Sequence, residues 1–270
     1  MNTHTYIYRY AVVTGANKGI GFEICNQLAS IGITVIVTAR DECRGLQAFD
    51  KLKQEFDLAM SHSDKVIFHH LDVVDPKSIS SLANFIKIHF GKLDILVNNA
   101  GLLTENEELT EAILKTNYYG PKGLIKTLFP LLQFSSSPRI VNVSSTVGRL
   151  KYFPNGWPKE VVSDVENLTE EKIDKVVNGF FNDFKEGSLE TKGWPLIVSA
   201  YSVSKAAINI NSNTGTLTSY EGAEPIVRLA LLPDGSPSGL FFSRYEELSY
   251  NYFNCKIYQS AFAHGIKCIC

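Results

Sequence analysis

The sequence predicts an α/β domain in which a parallel sheet is covered by helices on both faces, and three observations predict it. Strand-like and helix-like segments alternate through the first 145 residues, the order that builds βαβ units rather than hairpins. A glycine loop, Thr14-Gly-Ala-Asn-Lys-Gly-Ile-Gly21, stands between the first strand and the first helix. At 270 residues the chain has the length of one large α/β domain.

The elements follow in order. Tyr10 to Val13 is a short buried strand that runs into the glycine loop. Phe22 to Ile31 is a helix closed by Gly32, and Ile33 to Thr38 is a β-branched strand. A charged helix occupies about 41–60, and Val66 to Leu71 is the third strand. Asp75-Pro76 starts the next helix, with a capping carboxylate and then proline at the first position. That helix stops at Gly91, and Leu93 to Val97 is the fourth strand. One helix is expected over roughly 106–132 before the fifth strand, Arg139 to Ser144. Residues 150–195 break this rhythm. Within them Ile173, Val176, Val177, Phe180, Phe181 and Phe184 recur at helical spacing, behind a Thr169 cap with Glu170 and Glu171 in the first turn. No Gly-, Ser- or Pro-rich linker isolates the stretch, so it reads as an insertion rather than a separate domain.

Bulk properties exclude several function classes. A net charge of −2 gives no footprint for nucleic acid or an anionic membrane. No apolar run approaches 18 residues, and the start lacks a basic segment followed by an apolar one. Cys25, Cys43, Cys255, Cys268 and Cys270 have no zinc-like spacing and are too sparse for a disulfide framework. A cytoplasmic protein with no metal is the expectation.

The chemistry is carried by a few groups. Gly15, Gly19 and Gly21, with Asn17, Lys18 and Ile20 between them, sit after a strand and before a helix. There they allow a tight turn and close approach of backbone N–H groups to a pyrophosphate. The second strand ends Thr38-Ala39-Arg40, where a carboxylate would hold the 2′-hydroxyl of an adenosine ribose. Ala39 leaves room instead, and Arg40 with Lys18 offers cations to a 2′-phosphate, which selects NADPH over NADH. In Tyr201-Ser-Val-Ser-Lys205 a tyrosine and a lysine four apart share one helix face. The ammonium beside the phenol is expected to draw its pKa down from about 10, making Tyr201 a proton donor near neutrality.

Taken together, Thr14–Gly21, Leu71-Asp72-Val73, Asn98-Asn99-Ala100-Gly101, Thr116-Asn117, Asn142-Val143-Ser144-Ser145 and Tyr201-x-x-x-Lys205 resemble the short-chain dehydrogenase/reductase family. The resemblance implies a Rossmann-type, doubly wound parallel sheet of order 3-2-1-4-5. It implies that Asp72 and Val73 flank the adenine and that Asn99 lies against the cofactor. It also implies a catalytic tetrad of Asn117, Ser145, Tyr201 and Lys205 that reduces a carbonyl with hydride from the nicotinamide. In that scheme Tyr201 protonates the alkoxide, Ser145 donates to the same oxygen, Lys205 holds the nicotinamide ribose, and Asn117 anchors a water. Ser145 is chosen over Ser144 because it stands three before Gly148, and because strand alternation is expected to point the two serines apart. Ser145 and Tyr201 are 56 positions apart, far more than in classical members. A long insertion there resembles the plant monomeric branch, whose substrates are small apolar ketones of terpenoid or alkaloid type, and implies a monomer.

The pattern departs from the family directly after Lys205. A segment of about thirty residues that would supply the sixth strand of the sheet and a nicotinamide-side turn is missing. The sheet is therefore expected to be one strand short, and an inactive nucleotide-binding variant is the alternative function. Residues 1–244 read as one domain with its insertion, and 245–270 as an atypical tail expected to pack loosely. Gly239-Leu-Phe-Phe242, deprived of its neighbour, is expected to move against the fifth strand or to sit poorly paired. Ile226 to Leu232 is expected to be helix despite its apolar content.

Overall fold

A computed structural model describes residues 8–59, 63–164, 167–208, 219–232, 242–243, 246–247 and 267–269. Strand β1 (Tyr10–Val13) leads through the glycine loop into helix α1 (Gly19–Ser30), β2 (Thr34–Ala39) and α2 (Glu42–Leu58). Then come β3 (Val66–His70), α3 (Pro76–His89) and β4 (Ile95–Asn98). Pairing is parallel throughout, in the order β3-β2-β1-β4 and then β5 (Arg139–Asn142). These are the predicted elements and the predicted order. The local signals act as expected: Asp75 accepts from the Lys77 N–H at 2.9 Å to cap α3, and Gly91 takes φ +73° to end its last turn.

Alternation along the strands sorts the core into two faces. Val12, Ile36, Leu96 and Ile140 point to one side, against α3 and α5 (Gly120–Leu132). Ala11, Val13, Val35, Val37, Ile95, Val97 and Val141 point to the other, against α1, α2 and α9 (Ser219–Ala230). The apolar run ending at Leu232 is thus helical over most of its length, because Ala223, Ile226, Val227 and Ala230 lie at helical spacing on one buried stripe.

The stretch before β5 departs from the single helix expected. A 3₁₀ turn at Glu107–Leu109 leads into α4 (Thr110–Leu114), then a π turn over Lys115–Tyr119, then α5. The π turn inserts one residue into the helical ladder, so the side chains before and after it face differently from an uninterrupted helix. Asn117 and Tyr118 sit inside it and are buried.

Within 150–195 lie α6 (Trp157–Ser163) and α7 (Glu170–Lys185). Thr169 caps α7 by accepting from the Lys172 N–H at 3.3 Å, and Ile173, Val176, Val177 and Phe180 are its buried stripe. Phe180 is fully buried, with its ring centroid 5.3 Å from that of Trp194, and burial of such a side chain contributes roughly 1.5–3 kcal/mol of transfer. An ion-pair network ties α7 to the body. Lys122 on α5 meets Asp174 and Glu170 at 2.7 Å, and the Tyr118 hydroxyl donates to Asp174 at 2.8 Å.

Beyond β5 the expectations need correction. Residues 209–218 and 239–241 lie outside the described ones, and Phe242–Ser243 (β6) forms a short antiparallel pair with Glu246–Glu247 (β7) rather than joining β5. The place beside β5 is taken by β8 (Lys267–Ile269), a parallel strand from the stretch read as a loose tail. The physical reason is the edge itself. An uncovered β5 presents unpaired N–H and C=O groups, and an extended segment that reaches it gains ladder bonds.

Candidate functional site

The site lies beyond the carboxyl ends of β1, β2 and β4. Gly15 at φ +64° and Gly19 at φ +60° hold left-handed conformations that side chains disfavour. A Cβ at Gly15 would stand 2.9 Å from Ala100 Cα, and one at Gly21 would overlap the Asn99 amide. The loop is therefore pressed against the Asn99–Ala100 segment. Thr14 and Asn99 fasten it there. The Asn99 and Ala100 N–H groups both donate to Thr14 Oγ1 at 2.9 Å, and Asn99 Nδ2 donates to the Thr14 and Gly15 carbonyls.

A cleft of about 500 Å³ opens over this loop. Gly15, Asn17, Lys18, Gly19, Ile20, Gly21, Arg40, Asp72, Val73 and Asn99 all line it, which brings together ten of the twelve residues predicted to bind cofactor. Tyr201 and Lys205 are not among its lining. Arg40 lies exposed at the end of β2, and the Asp72 carboxylate accepts from the Val74 N–H at 3.0 Å, an Asx turn that shapes this wall. Sequence reasoning missed Arg44 here, and Thr116, named only as part of a motif, lines the cleft as well. Arg44 stands at the cleft in the first turn of α2, where Asp41 both caps the helix and pairs with the guanidinium at 3.4 Å. No motif marks it.

A dinucleotide fits these residues. The first turn of α1 has no side-chain cap on its N–H groups, so they and the helix dipole are available to an anion. The glycine loop has no Cβ in the way, and Arg40, Lys18 and Arg44 bring three cations to the cleft lining.

The predicted tetrad gathers around α8 (Ser199–Ala207). Ser145 is buried and hydrogen-bonds the Tyr201 hydroxyl. Lys205 is 4% exposed, donates to the Val143 carbonyl at 2.8 Å and stands 5.5 Å from the Tyr201 ring centroid. Asn117 accepts from the Leu102 N–H at 2.7 Å and donates to the Leu102 carbonyl and to Ser204 Oγ at 2.9 and 3.0 Å. Its side chain thus braces the β4 loop against α8. Ser204, fully buried between Asn117 and the Tyr201 carbonyl, is a positioning residue the sequence did not single out.

Two expectations are corrected. Burial pushes the Tyr201 phenol above its ordinary pKa, and the Ser145 hydrogen bond opposes this only in part. Burial lowers the neighbouring lysine as well, to about 8. The strand alternation expected to separate the two serines, moreover, does not reach them. β5 ends at Asn142, and both are buried against α8, Ser144 donating to the Lys205 carbonyl at 3.4 Å.

Two backbone features hold α8 in place. Val198, the residue before it, has φ +41°, a strained value for a β-branched side chain. A Cβ at Gly148 would meet the Ala206 nitrogen and Lys205 carbonyl carbon at 2.8 Å, so the 3₁₀ turn Thr146–Gly148 lies directly on the helix. Glycine there lets Ser145 approach Tyr201.

With this geometry in hand, comparisons with known proteins agree. Residues 9–156 match the family model described as short chain dehydrogenase. The chain is 49% identical to a (+)-neomenthol dehydrogenase of Arabidopsis thaliana, over 87% of this chain and 96% of that one. It is 45% identical to a salutaridine reductase of Papaver bracteatum, covering 87% and 94%, and 36% identical to a carbonyl reductase [NADPH] 1 of Bos taurus, covering 83% and 80%. Among solved structures, menthone neomenthol reductase from Mentha piperita superposes with a TM-score of 0.83 at 44% identity, over 89% of this chain and all of that one. The aligned span with the Arabidopsis relative is 287 positions, more than this chain's 270 residues, so that relative has positions with no counterpart here.

Proposed function

Because the chain belongs to the short chain dehydrogenase family, we propose that it is an NADPH-dependent reductase that converts a ketone of a small apolar, terpenoid- or alkaloid-like molecule to the alcohol. The observation that carries this reading is the meeting of Ser145, Tyr201, Lys205 and Asn117 on α8 beside the glycine-loop cleft. NADPH, when bound, supplies the hydride. Tyr201 gives its proton to the oxygen that becomes the alcohol, and Ser145 steadies that oxygen and the phenolate left behind. Lys205, with a pKa near 8, exchanges protons close to neutral pH and sets a positive charge by the Tyr201 ring as the phenolate forms. Asn117 keeps α8 and the β4 loop in register. Gly15, Asn17, Lys18, Gly19, Ile20 and Gly21 take the pyrophosphate, Arg40 the 2′-phosphate, and Asp72, Val73 and Asn99 the adenine and ribose walls.

The domain is read as residues 1–244 with the insertion at about 150–195, the tail 245–270 following. Placement of α7 against α8 and α4 supports a monomer, since the family resemblance implies that another copy would use the face it covers. Among the described residues no helix is long and apolar enough to cross a membrane, and a cytoplasmic site of action fits that.

NADPH fluorescence titration followed by turnover of menthone tests the reading. Tight binding with turnover is expected. Binding without turnover selects the second reading, a catalytically impaired nucleotide-binding variant. The aligned span that exceeds the chain favours that second reading.

A further inference from the structure

Behind the nucleotide cleft lies a second cavity, of about 520 Å³, that the reaction does not use. Its walls come from the loop Val73–Val74, the π turn, α5 and the outer flank of the inserted helix α7. The lining is chiefly apolar, with Val73, Ile79, Leu114, Val177 and Phe181 contributing. Polar groups stand at its edge: Thr127, the Glu111–Lys115 pair at 2.7 Å, and Tyr119, whose hydroxyl donates to Asn178 Oδ1 at 3.1 Å. An apolar chamber of this size with a few converging hydrogen-bonding groups has the make-up of a small-molecule site.

Its connection to the nucleotide cleft is physical. Val73 lines both cavities. Gly120 lies so close beneath it that an added Cβ would stand 3.0 Å from Val73 Cγ2 and 3.1 Å from its carbonyl oxygen. Thr116, on the nucleotide side, and Lys115, on the other, are neighbours in the π turn that also holds Asn117. A molecule pressing on Val73 and the π turn from one cavity therefore bears on the wall of the other.

We propose that this cavity binds a small, neutral, largely apolar molecule carrying one hydroxyl or carbonyl, and that its occupancy is linked to nucleotide affinity through Val73 and the π turn. The linkage rests on the reading of the glycine-loop cleft as the nucleotide site; the binding does not. Linkage is reciprocal, so the ligand and NADPH change each other's affinity by the same factor.

The probe is 1-naphthol, which is neutral, fluorescent and of the right polarity. Gly123 lines the cavity, and a Cβ there meets Ile79 Cδ1 at an ordinary 3.4 Å, so Gly123→Leu fills the space from α5. Asn178→Trp fills it from α7 and stands in if Gly123→Leu fails to fold. The wild type should bind 1-naphthol, and saturation with it should shift the NADPH dissociation constant severalfold. Either variant should weaken 1-naphthol by tenfold or more and abolish the shift, with NADPH affinity in its absence unchanged. Failure of the wild type to bind 1-naphthol, or equal binding by both filled variants, overturns the site. Binding at the site with no shift in NADPH affinity overturns the linkage. Loss of ketone turnover alone bears on the proposed reaction and leaves these readouts intact.

Discussion

Replacing Lys205 with methionine should make the protein more stable at neutral pH, although it should end turnover. The side chain is 4% exposed, and burial alone lowers its pKa from the ordinary 10.5 to about 8. Keeping the ammonium charged in the folded state at pH 7 thus costs about 3 kcal/mol, at about 1.4 kcal/mol per pKa unit. Its hydrogen bond to the Val143 carbonyl returns about 1 kcal/mol that the thioether cannot. The net gain for Lys205→Met is about 2 kcal/mol, or roughly 4–8 °C in Tm for a chain of this size. The sign with pH follows from linkage. The folded pKa lies below the unfolded one, so the unfolded chain binds the extra proton and wild-type stability rises between about pH 8 and 10.5. Burial also pushes the Tyr201 phenol above its ordinary pKa, and that group is present in both proteins. Urea denaturation of both at pH 7, 8, 9 and 10.5 measures the difference between them directly. The variant's advantage should be full at pH 7 and gone by pH 10.5. A wild type that is more stable at pH 7, or a difference that does not move with pH, would refute the assignment of a buried cation whose charge opposes folding.

Three further outcomes follow from the site. Arg40→Ala should erode the preference for NADPH over NADH by about 1–3 kcal/mol, the scale of a charge-assisted hydrogen bond, read as a ratio of dissociation constants; an unchanged ratio would remove Arg40 from the 2′-phosphate. Gly148→Ala should lower kcat by tenfold or more with little change in NADPH affinity, because the new methyl pushes Ser145 and its turn off α8. Val198→Gly should relieve the left-handed strain, offset in part by added freedom in the unfolded chain, leaving Tm within a few degrees of wild type. A large fall in Tm would show that the valine side chain matters more than its backbone angle.

Much of this was legible because the signals were local. The five strands, the caps of α3 and α7 and the buried stripe Ile173–Phe180 follow from periodicity and capping chemistry carried by the residues themselves. The glycine loop was legible for the same reason, since Gly15 and Gly19 need conformations that other residues avoid. What escaped depended on distant partners. The π turn at Lys115–Tyr119 has no sequence mark, because no glycine or proline interrupts it and tertiary contacts of Asn117 and Tyr118 fix it. The pKa of Tyr201 was misjudged because spacing along a helix places a cation near a phenol and says nothing of how dry the place is. Arg44 stands at the cleft in the first turn of α2, and β8 reached β5 through an open edge, neither of which a linear pattern records.

That last pairing bears on how the molecule assembles in time. β8 registers Arg139 with Lys267 and Val141 with Ile269, partners 128 positions apart in the chain. The cost of closing so long a loop grows only slowly with length, yet it must be met before a three-residue ladder returns anything. The β1–β4 sheet, built from nearer neighbours, should form first. During the interval the exposed side of β5 is a template for any extended strand, including that of a second unfinished chain. The yield of native protein should therefore fall with concentration during refolding even where the finished molecule is stable.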